Sequence, residues 1–326
     1  FIIIFTMHLN PTLSKKILAW YDNSKRILPW RVSKKSPKKL YYRILSEFML
    51  QQTQVKTVIP YFNRFTKKFK TLQSLSKCKE KQILKLWEGL GYYRRARNLL
   101  ASSKMLVKKY NSKLPNTIEE VKKLPGVGEY TANALIALIH NQPKIAIDGN
   151  VKRVFARLLN KKKEKINYEE LIVLNKKKIF NTNRNADLVE ALMEFGALIC
   201  KPKDPKCGVC CLKKSCKYFK SSKKIITKEK KMIKEKNYDI FCYLNSNEQI
   251  ALTKENKISF LKNFNLPEIK ETKKISKNKS WKFLNNYKNS ISNLKLNINL
   301  YYKFSNKKPS NYNLSLIHIS EPTRLG

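Results

Sequence analysis

From Leu13 to Ile199 apolar residues return every three or four positions, the spacing of amphipathic helices. Leu13, Ile17, Leu18 and Tyr21 share a face after Pro11. Leu40, Ile44, Leu45, Phe48 and Met49 form the stripe of a helix predicted over Leu40–Thr53. Further helices are predicted at Val55–Phe65, Ile83–Leu86, Arg94–Tyr110, Ile118–Lys123, Tyr130–His140, Val151–Leu159 and Ala186–Ile199. Ser33–Lys39 and Lys161–Lys165 read as charged loops. The pattern changes after Cys216. Ser221–Lys236 is dense in lysine and poor in apolar positions, which predicts a basic linker. Beyond it, alternation predicts strands at Ile240–Leu244, Gln249–Thr253 and Leu294–Phe304, with Trp281 and Phe283 expected in their core.

Length and charge narrow the reading. The chain has 326 residues, enough for two domains. Its formal net charge of +46 suits a polyanion such as nucleic acid. The excess is weak evidence alone, because 58 Lys against 11 Arg is also what AT-rich coding produces. No apolar run reaches the roughly 20 residues that cross a bilayer, so no membrane partner is expected. Residues before Met7 read as translated upstream sequence. The three histidines, His8, His140 and His318, have no second catalytic group beside them in sequence, which directs attention to carboxylates.

Two carboxylates stand out. Glu47 sits close to the apolar stripe of its helix, where burial would raise its pKa toward that of a general acid working near neutral pH. At a helix edge it would be unremarkable. Asp148 follows the apolar run Ile145-Ala146-Ile147 at a turn before a helix, a position that suits an N-cap, a substrate contact or both. Glu88-Gly89-Leu90-Gly91-Tyr92-Tyr93-Arg94-Arg95-Ala96-Arg97 joins a flexible turn to stacking rings and three guanidiniums that could hold phosphates, features of a nucleic-acid wedge. Leu124-Pro125-Gly126-Val127-Gly128 opens a helix and could present backbone N–H groups to a phosphate. Four cysteines, Cys200, Cys207, Cys210 and Cys216, have a 6-2-5 spacing, which indicates metal ligation in a reducing compartment. All-cysteine ligation alone leaves zinc and iron–sulfur open.

Together and in this order, these pieces resemble the MutY-type adenine DNA glycosylases of the helix-hairpin-helix superfamily. The resemblance runs from about Leu13 to Cys216. It rests on Leu28-Pro29-Trp30, Ser46-Glu47-Phe48-Met49-Leu50-Gln51-Gln52-Thr53-Gln54, Val58-Ile59-Pro60-Tyr61-Phe62, Gly89-Leu90-Gly91-Tyr92-Tyr93, the Leu124–Gly128 hairpin and Asp148-Gly149-Asn150-Val151. It implies a mostly α fold: a two-lobed helix-hairpin-helix core over 7–220, with one lobe near 35–140 and an iron–sulfur lobe from 7–34 and 141–220. It also implies a linker over 221–236 and a partial α+β Nudix-like domain over 237–313. The implied reaction removes adenine mispaired with 8-oxoguanine or guanine, from a base flipped out of duplex DNA.

The resemblance also implies roles. Glu47 would protonate adenine N7, and Asp148 would stabilise the cationic sugar, supported by Tyr130 and Asn150. Arg26, Trp30, Arg31 and Glu190 would wall the adenine pocket. Gln52 and Tyr92 would fill the vacated stack, with Thr53, Leu90, Gly126, Val127 and Gly128 also on DNA. Cys200, Cys207, Cys210 and Cys216 would hold one [4Fe-4S] cluster, folding a basic loop with Lys201, Lys203 and Lys206 onto the DNA backbone. Cys211 falls outside the spacing. A monomer acting on DNA in a bacterial cytoplasm is the expected setting.

Two departures and two alternatives accompany this reading. The family's lesion-reading His-x-Phe-Ser-His pattern is matched only by Asn289-Ser290-Ile291-Ser292-Asn293, which keeps Ser292 and lacks both histidines. Leu314–Arg324 resembles translated sequencing-adapter sequence, and 314–326 is set apart as a tail on that ground. An endonuclease III-like pyrimidine glycosylase/lyase would need an amine where this chain has Tyr130, and would lack Glu47. A non-catalytic DNA-binding protein would leave both carboxylates unexplained.

Overall fold

The computed structural model describes residues 9–222, 234–253, 265–272, 280–291, 294–306 and 312–316. Two compact units divide the chain, Phe1–Thr227 and Lys228–Gly326.

The first unit is helical. Its elements are α1 (Leu13–Ser24), α2 (Lys39–Leu50), α3 (Val55–Lys68), α4 (Leu72–Ser76), α5 (Glu80–Trp87), α6 (Arg94–Lys109), α7 (Ile118–Val121), α8 (Glu129–His140), α9 (Gly149–Leu159), α10 (Tyr168–Leu174), α11 (Lys176–Ile179), α12 (Asn185–Leu198) and α13 (Lys217–Lys220). Side chains set several of the boundaries. Thr71 and Ser74 form a reciprocal capping box at α4, Thr117 caps α7 and Asp148 caps α9. Asn141 and Asn160 end α8 and α9 in the left-handed conformation.

The apolar stripes build two cores. Phe48, Phe62, Phe65 and Trp87 are fully buried in the first, which α2 to α8 enclose. Each such ring contributes about 1.5–3 kcal/mol by leaving water. Ile17, Phe155 and Phe195 anchor the second, where α1 crosses back to pack with α9 and α12. Ala134, Ala137, Leu138, Ala146 and Val189 form a small patch joining α8 to α12, against which Tyr130 and Met193 pack. These small side chains let the two helices approach closely, and the candidate chemistry lies along this seam.

Some limits differ from the sequence reading. Helix α2 stops at Leu50 rather than Thr53, because Gln52 takes a left-handed φ of 58° that an α-helix cannot continue. Helices α10 and α11 were not predicted, since too few turns separate their ends to show a period. Among the described residues no helix is long and apolar enough to cross a membrane.

The described residues of the second unit form strands β1 (Lys234–Leu244), β2 (Gln249–Leu252), β3 (Glu268–Thr272), β4 (Lys282–Ile291), β5 (Leu294–Phe304) and β6 (Asn313–Leu316). The sheet order is β4-β5-β1-β2-β6, with β3 also paired to β1. The β1–β5 pair is parallel and the others are antiparallel. Strand β1 begins inside the segment expected to be linker, and β6 takes Leu314, Ser315 and Leu316 from the expected tail to pair with β2. Trp281 packs on Phe241 and Tyr243 as a core residue would, whereas Phe283 is 56% exposed and corrects the expectation that it is buried. Ser292, between β4 and β5, lies outside the described residues.

Candidate active site

Glu47 projects from α2 one turn beyond Arg43. It keeps some accessible surface, yet protein surrounds its carboxyl. Burial therefore raises its pKa to about 7, with the negative charges of Glu190 and Asp148 adding to the rise and the Arg43 guanidinium opposing it. A carboxyl so poised is partly protonated near neutral pH, the condition for a general acid.

Asp148 is both cap and candidate. Its Oδ1 accepts from the Val151 N–H at 2.7 Å and its Oδ2 accepts from Asn150 Nδ2 at 2.8 Å. Asn150 is held in turn, its Oδ1 accepting from Arg153 at 2.7 Å. Arg153 also donates to the carbonyls of Gly196 at 2.7 Å and Cys200 at 2.8 Å. A continuous chain of hydrogen bonds thus runs from the Cys200 carbonyl to Asp148. Gly196 is small out of necessity, since a Cβ there would lie 2.6 Å from the Asn150 side chain. Tyr130 reaches the same site from α8, its pKa raised by burial and by the charges of Glu47 and Asp148.

The residues expected at the adenine pocket form an ion network. Glu190 accepts from Arg43, from Arg31 Nε at 3.2 Å and from Tyr21 Oη at 2.7 Å. Glu194 accepts from Arg26 Nε at 2.7 Å and Arg31 at 3.0 Å. Although burial acts to raise the Glu194 pKa, these guanidiniums hold it below the usual range. Arg26, Arg31, Arg43 and Glu190 line a cleft of about 240 Å³ together with Tyr21, Lys25 and Lys39. Trp30 does not line it. Only 3% exposed, it packs edge-on against Phe62 and supports the wall from within the core. Tyr21, Arg43 and Glu194 were missed as site residues, because partners more than a hundred positions apart leave no mark in local periodicity.

The expected DNA-facing loops are organised by one buried side chain. Arg95 donates to the carbonyls of Met49 at 2.7 Å and Gln51, and to Thr53 Oγ1 at 3.0 Å. Its other amino group reaches the carbonyls of Leu90 and Gly91, each at 3.1 Å. It thereby ties the end of α2 to the glycine turn. On either side of it Gln52 and Tyr92 are exposed and hold left-handed φ of 58° and 50°. Arg95 is 6% exposed, so it clamps the wedge rather than holding phosphate, which corrects the sequence reading. Arg97 pairs with Glu80 at 2.6 Å on the surface, and Arg94 is exposed.

Two other expected DNA contacts are internal. Leu90 is 6% exposed and part of the first core. Val127 is 7% exposed and its N–H donates to Leu124 O at 3.1 Å, so it closes the hairpin turn. Gly126, with φ of 78°, makes that turn possible, and a Cβ would strike Asn98. Gly128 caps α8, where the amides of the first turn have no earlier helical carbonyl to reach.

The cysteine loop begins as α12 ends, where the Cys200 N–H donates to Phe195 O at 2.9 Å. Cys216 caps α13 and its Sγ lies 3.5 Å from Arg157 O. Arg157 reaches Cys200 Sγ at 3.4 Å and the carbonyls of Lys201 and Pro202 at 2.6 and 2.9 Å. The thiols share one environment: burial raises the Cys210 pKa to about 11, with Cys211, Cys200 and Cys216 contributing. Cys207 and Cys200 act on Cys216 in the same way. No group of three or more His, Cys, Asp or Glu among the described residues stands at metal-holding spacing. In type and number the four thiols suit a thiolate-ligated group.

A helical hairpin beside two carboxylates and an exposed wedge defines a DNA N-glycosylase of the helix-hairpin-helix class. Residues 45–178 match the family described as HhH-GPD superfamily base excision DNA repair protein. A thermostable thymine-DNA glycosylase structure superposes with a TM-score of 0.56 at 26% identity, covering 64% of this chain and 95% of that one. A trapped endonuclease III–DNA covalent intermediate has a TM-score of 0.53 at 22% identity over 65% and 98%, a likeness of fold. Among curated relatives, the adenine DNA glycosylase of Buchnera aphidicola subsp. Baizongia pistaciae is 38% identical over 89% of this chain and 86% of its own. The adenine DNA glycosylase of Buchnera aphidicola subsp. Schizaphis graminum is 39% identical over 68% and 65%. That of Homo sapiens is 35% identical over 62% of this chain and 38% of its own. The chain belongs to the adenine DNA glycosylases.

Proposed function

We propose that this chain removes adenine mispaired with 8-oxoguanine or guanine in duplex DNA, opening base excision repair. The observation that carries the chemistry is Glu47, with a pKa near 7, sharing a site with the doubly held Asp148. With the adenine flipped into the site, Glu47 gives its proton to N7. The ring then leaves as neutral adenine when the C1′–N9 bond breaks. Asp148, as carboxylate, stabilises the cationic sugar, and water completes the hydrolysis. Asn150 and Tyr130 fix the aspartate and the sugar side of the site. Tyr130 offers no amine, so no Schiff base forms and the strand stays intact.

Gln52 and Tyr92 fill the gap left by the base, held out by the Arg95 clamp. Cys200, Cys207, Cys210 and Cys216 would hold one [4Fe-4S] cluster, whose contribution is to fold the Lys201–Lys206 loop onto the DNA backbone. The protein acts as a monomer. The test is single-turnover reaction on a duplex holding one adenine opposite 8-oxoguanine, with and without alkali. Free adenine, with strand scission only after alkali, is expected. Scission without alkali points to a lyase, and binding without adenine release points to a non-catalytic protein.

A further inference from the structure

Arg43 lies one helical turn before Glu47 on the same face of α2. It is 7% exposed, amid the apolar stripe of Ile44, Leu45 and Phe48. It donates to Glu190 Oε1, an oxygen that Arg31 also reaches, while its own Nε has no hydrogen-bond partner among the described residues. An incompletely satisfied buried guanidinium is a costly occupant where an apolar side chain would extend the stripe. Its position explains the cost. Groups from three elements act on the Glu47 carboxyl, Glu190 from α12, Asp148 from the turn before α9 and Arg43 from α2, while Tyr130 from α8 feels the charge of Glu47 in turn. Of these, Arg43 is the cation.

We propose that Arg43 is a positioning residue for the excision reaction: it fixes Glu190 and offsets the negative field of Glu190 and Asp148, so that Glu47 can both hold a proton and release it to the base. This rests on the reading that Glu47 is the acid. Without Arg43, Glu190 would keep only Arg31 as a guanidinium partner, and the negative field of the two carboxylates at Glu47 would rise. The acid would keep its proton to higher pH and donate it less readily.

The experiment is the pH profile of single-turnover adenine release for wild type, Arg43→Met, Arg43→Gln and Arg43→Lys, with folding checked by circular dichroism. Release should decline as pH rises through the Glu47 titration. In the uncharged variants that decline should move up by about one pH unit, from a charge one helical turn away in a medium of intermediate dielectric. Their low-pH plateau should fall roughly three- to tenfold, as the Brønsted dependence gives for an acid weaker by about one unit. Arg43→Lys should keep the wild-type midpoint. A purely structural role would lower the rate without moving the midpoint.

Carbon-13 NMR titration of the Glu47 carboxyl, assigned with Glu47→Gln, follows the same shift without turnover. A shift seen there in a protein that releases no adenine would uphold Arg43 and overturn the proposed reaction. An unmoved midpoint in a folded uncharged variant overturns the role of Arg43. So does the failure of both uncharged variants to fold.

Discussion

Replacing Arg95 with methionine removes the clamp beneath the DNA wedge, and the hydrogen bonds allow the cost to be worked out. Its closer buried acceptors are the carbonyls of Met49 at 2.7 Å and Leu90 at 3.1 Å, with that of Phe48 only at 3.4 Å. Each of the closer two would be left without that donor, at about 1–3 kcal/mol apiece. The carbonyls of Gln51 and Gly91 and the Thr53 hydroxyl are only partly buried and regain water, so they add little. Part of the loss returns because burial of the guanidinium is itself unfavourable, as the lowered Arg95 pKa records. The net expectation is a loss of roughly 2–4 kcal/mol. For a unit of this size that is a fall in melting temperature of about 5–15 °C.

The functional loss should be more selective. Gln52 and Tyr92 hold left-handed φ only while the loops between them are pinned. On a Glu47→Gln background, binding to a mispaired duplex should weaken about 10–100-fold, and binding to fully paired DNA much less. Lysine should rescue little, since an ammonium cannot span both loops as the guanidinium fork does. Helical circular dichroism melts and fluorescence anisotropy make the two measurements. A variant that melts within 2 °C of wild type (well inside the ~5 °C lower bound) and keeps its mispair preference would refute the clamp.

Glu47→Gln should itself stabilise the protein in a pH-dependent way. The folded pKa of about 7 lies above the usual 4.5. The folded state therefore binds the proton more tightly, and stability is lost as pH rises between those values. Removing the group should gain on the order of 2–3 kcal/mol above neutrality and almost nothing below about pH 4.5, read as the melting-temperature difference between variant and wild type across pH. Asn150→Ala removes the 2.8 Å donor to Asp148 and the acceptor for Arg153. The rate of adenine release should fall about 10–100-fold, roughly 1.4–2.7 kcal/mol, with duplex affinity nearly unchanged in a binding titration. If the four cysteines hold the proposed cluster, anaerobically purified protein should be brown and contain iron and sulfide, Cys207→Ser should lose all three signs, and Cys211→Ser should keep them.

Much of the first unit was legible because its chemistry is local. The apolar stripe fixes which face of α2 is buried, and so places Glu47 at its edge. Asp148 before Val151 has the spacing of an N-cap, and the structure makes that bond. Gly126 marks a turn that only a residue without Cβ can make there. What escaped depends on distant partners. Arg43 read as an ordinary helix residue, since Glu190 lies 147 positions away. Arg95 read as a phosphate ligand because its acceptors come from the last turn of α2 and from two loops, whose meeting is a tertiary event. Leu90 and Val127 were assigned to DNA by motif, although their side chains serve the core. In the second unit alternation revealed β1, β2 and β5. It hid β4, a strand at the end of the sheet order whose residues from Lys282 to Ser290 are all exposed, so that it carries no alternation and leaves Phe283 outside the core.

The central claim is that a carboxyl titrating near neutral pH delivers the proton that frees the base. The direct measurement is the pH dependence of single-turnover adenine release by wild-type protein, alongside duplex binding and release by Glu47→Gln. A rate that declines as pH rises through about 7, together with a Glu47→Gln protein that binds the mispaired duplex and releases no adenine, is the predicted result. A rate indifferent to pH across that range, or adenine release that survives in Glu47→Gln, would contradict it.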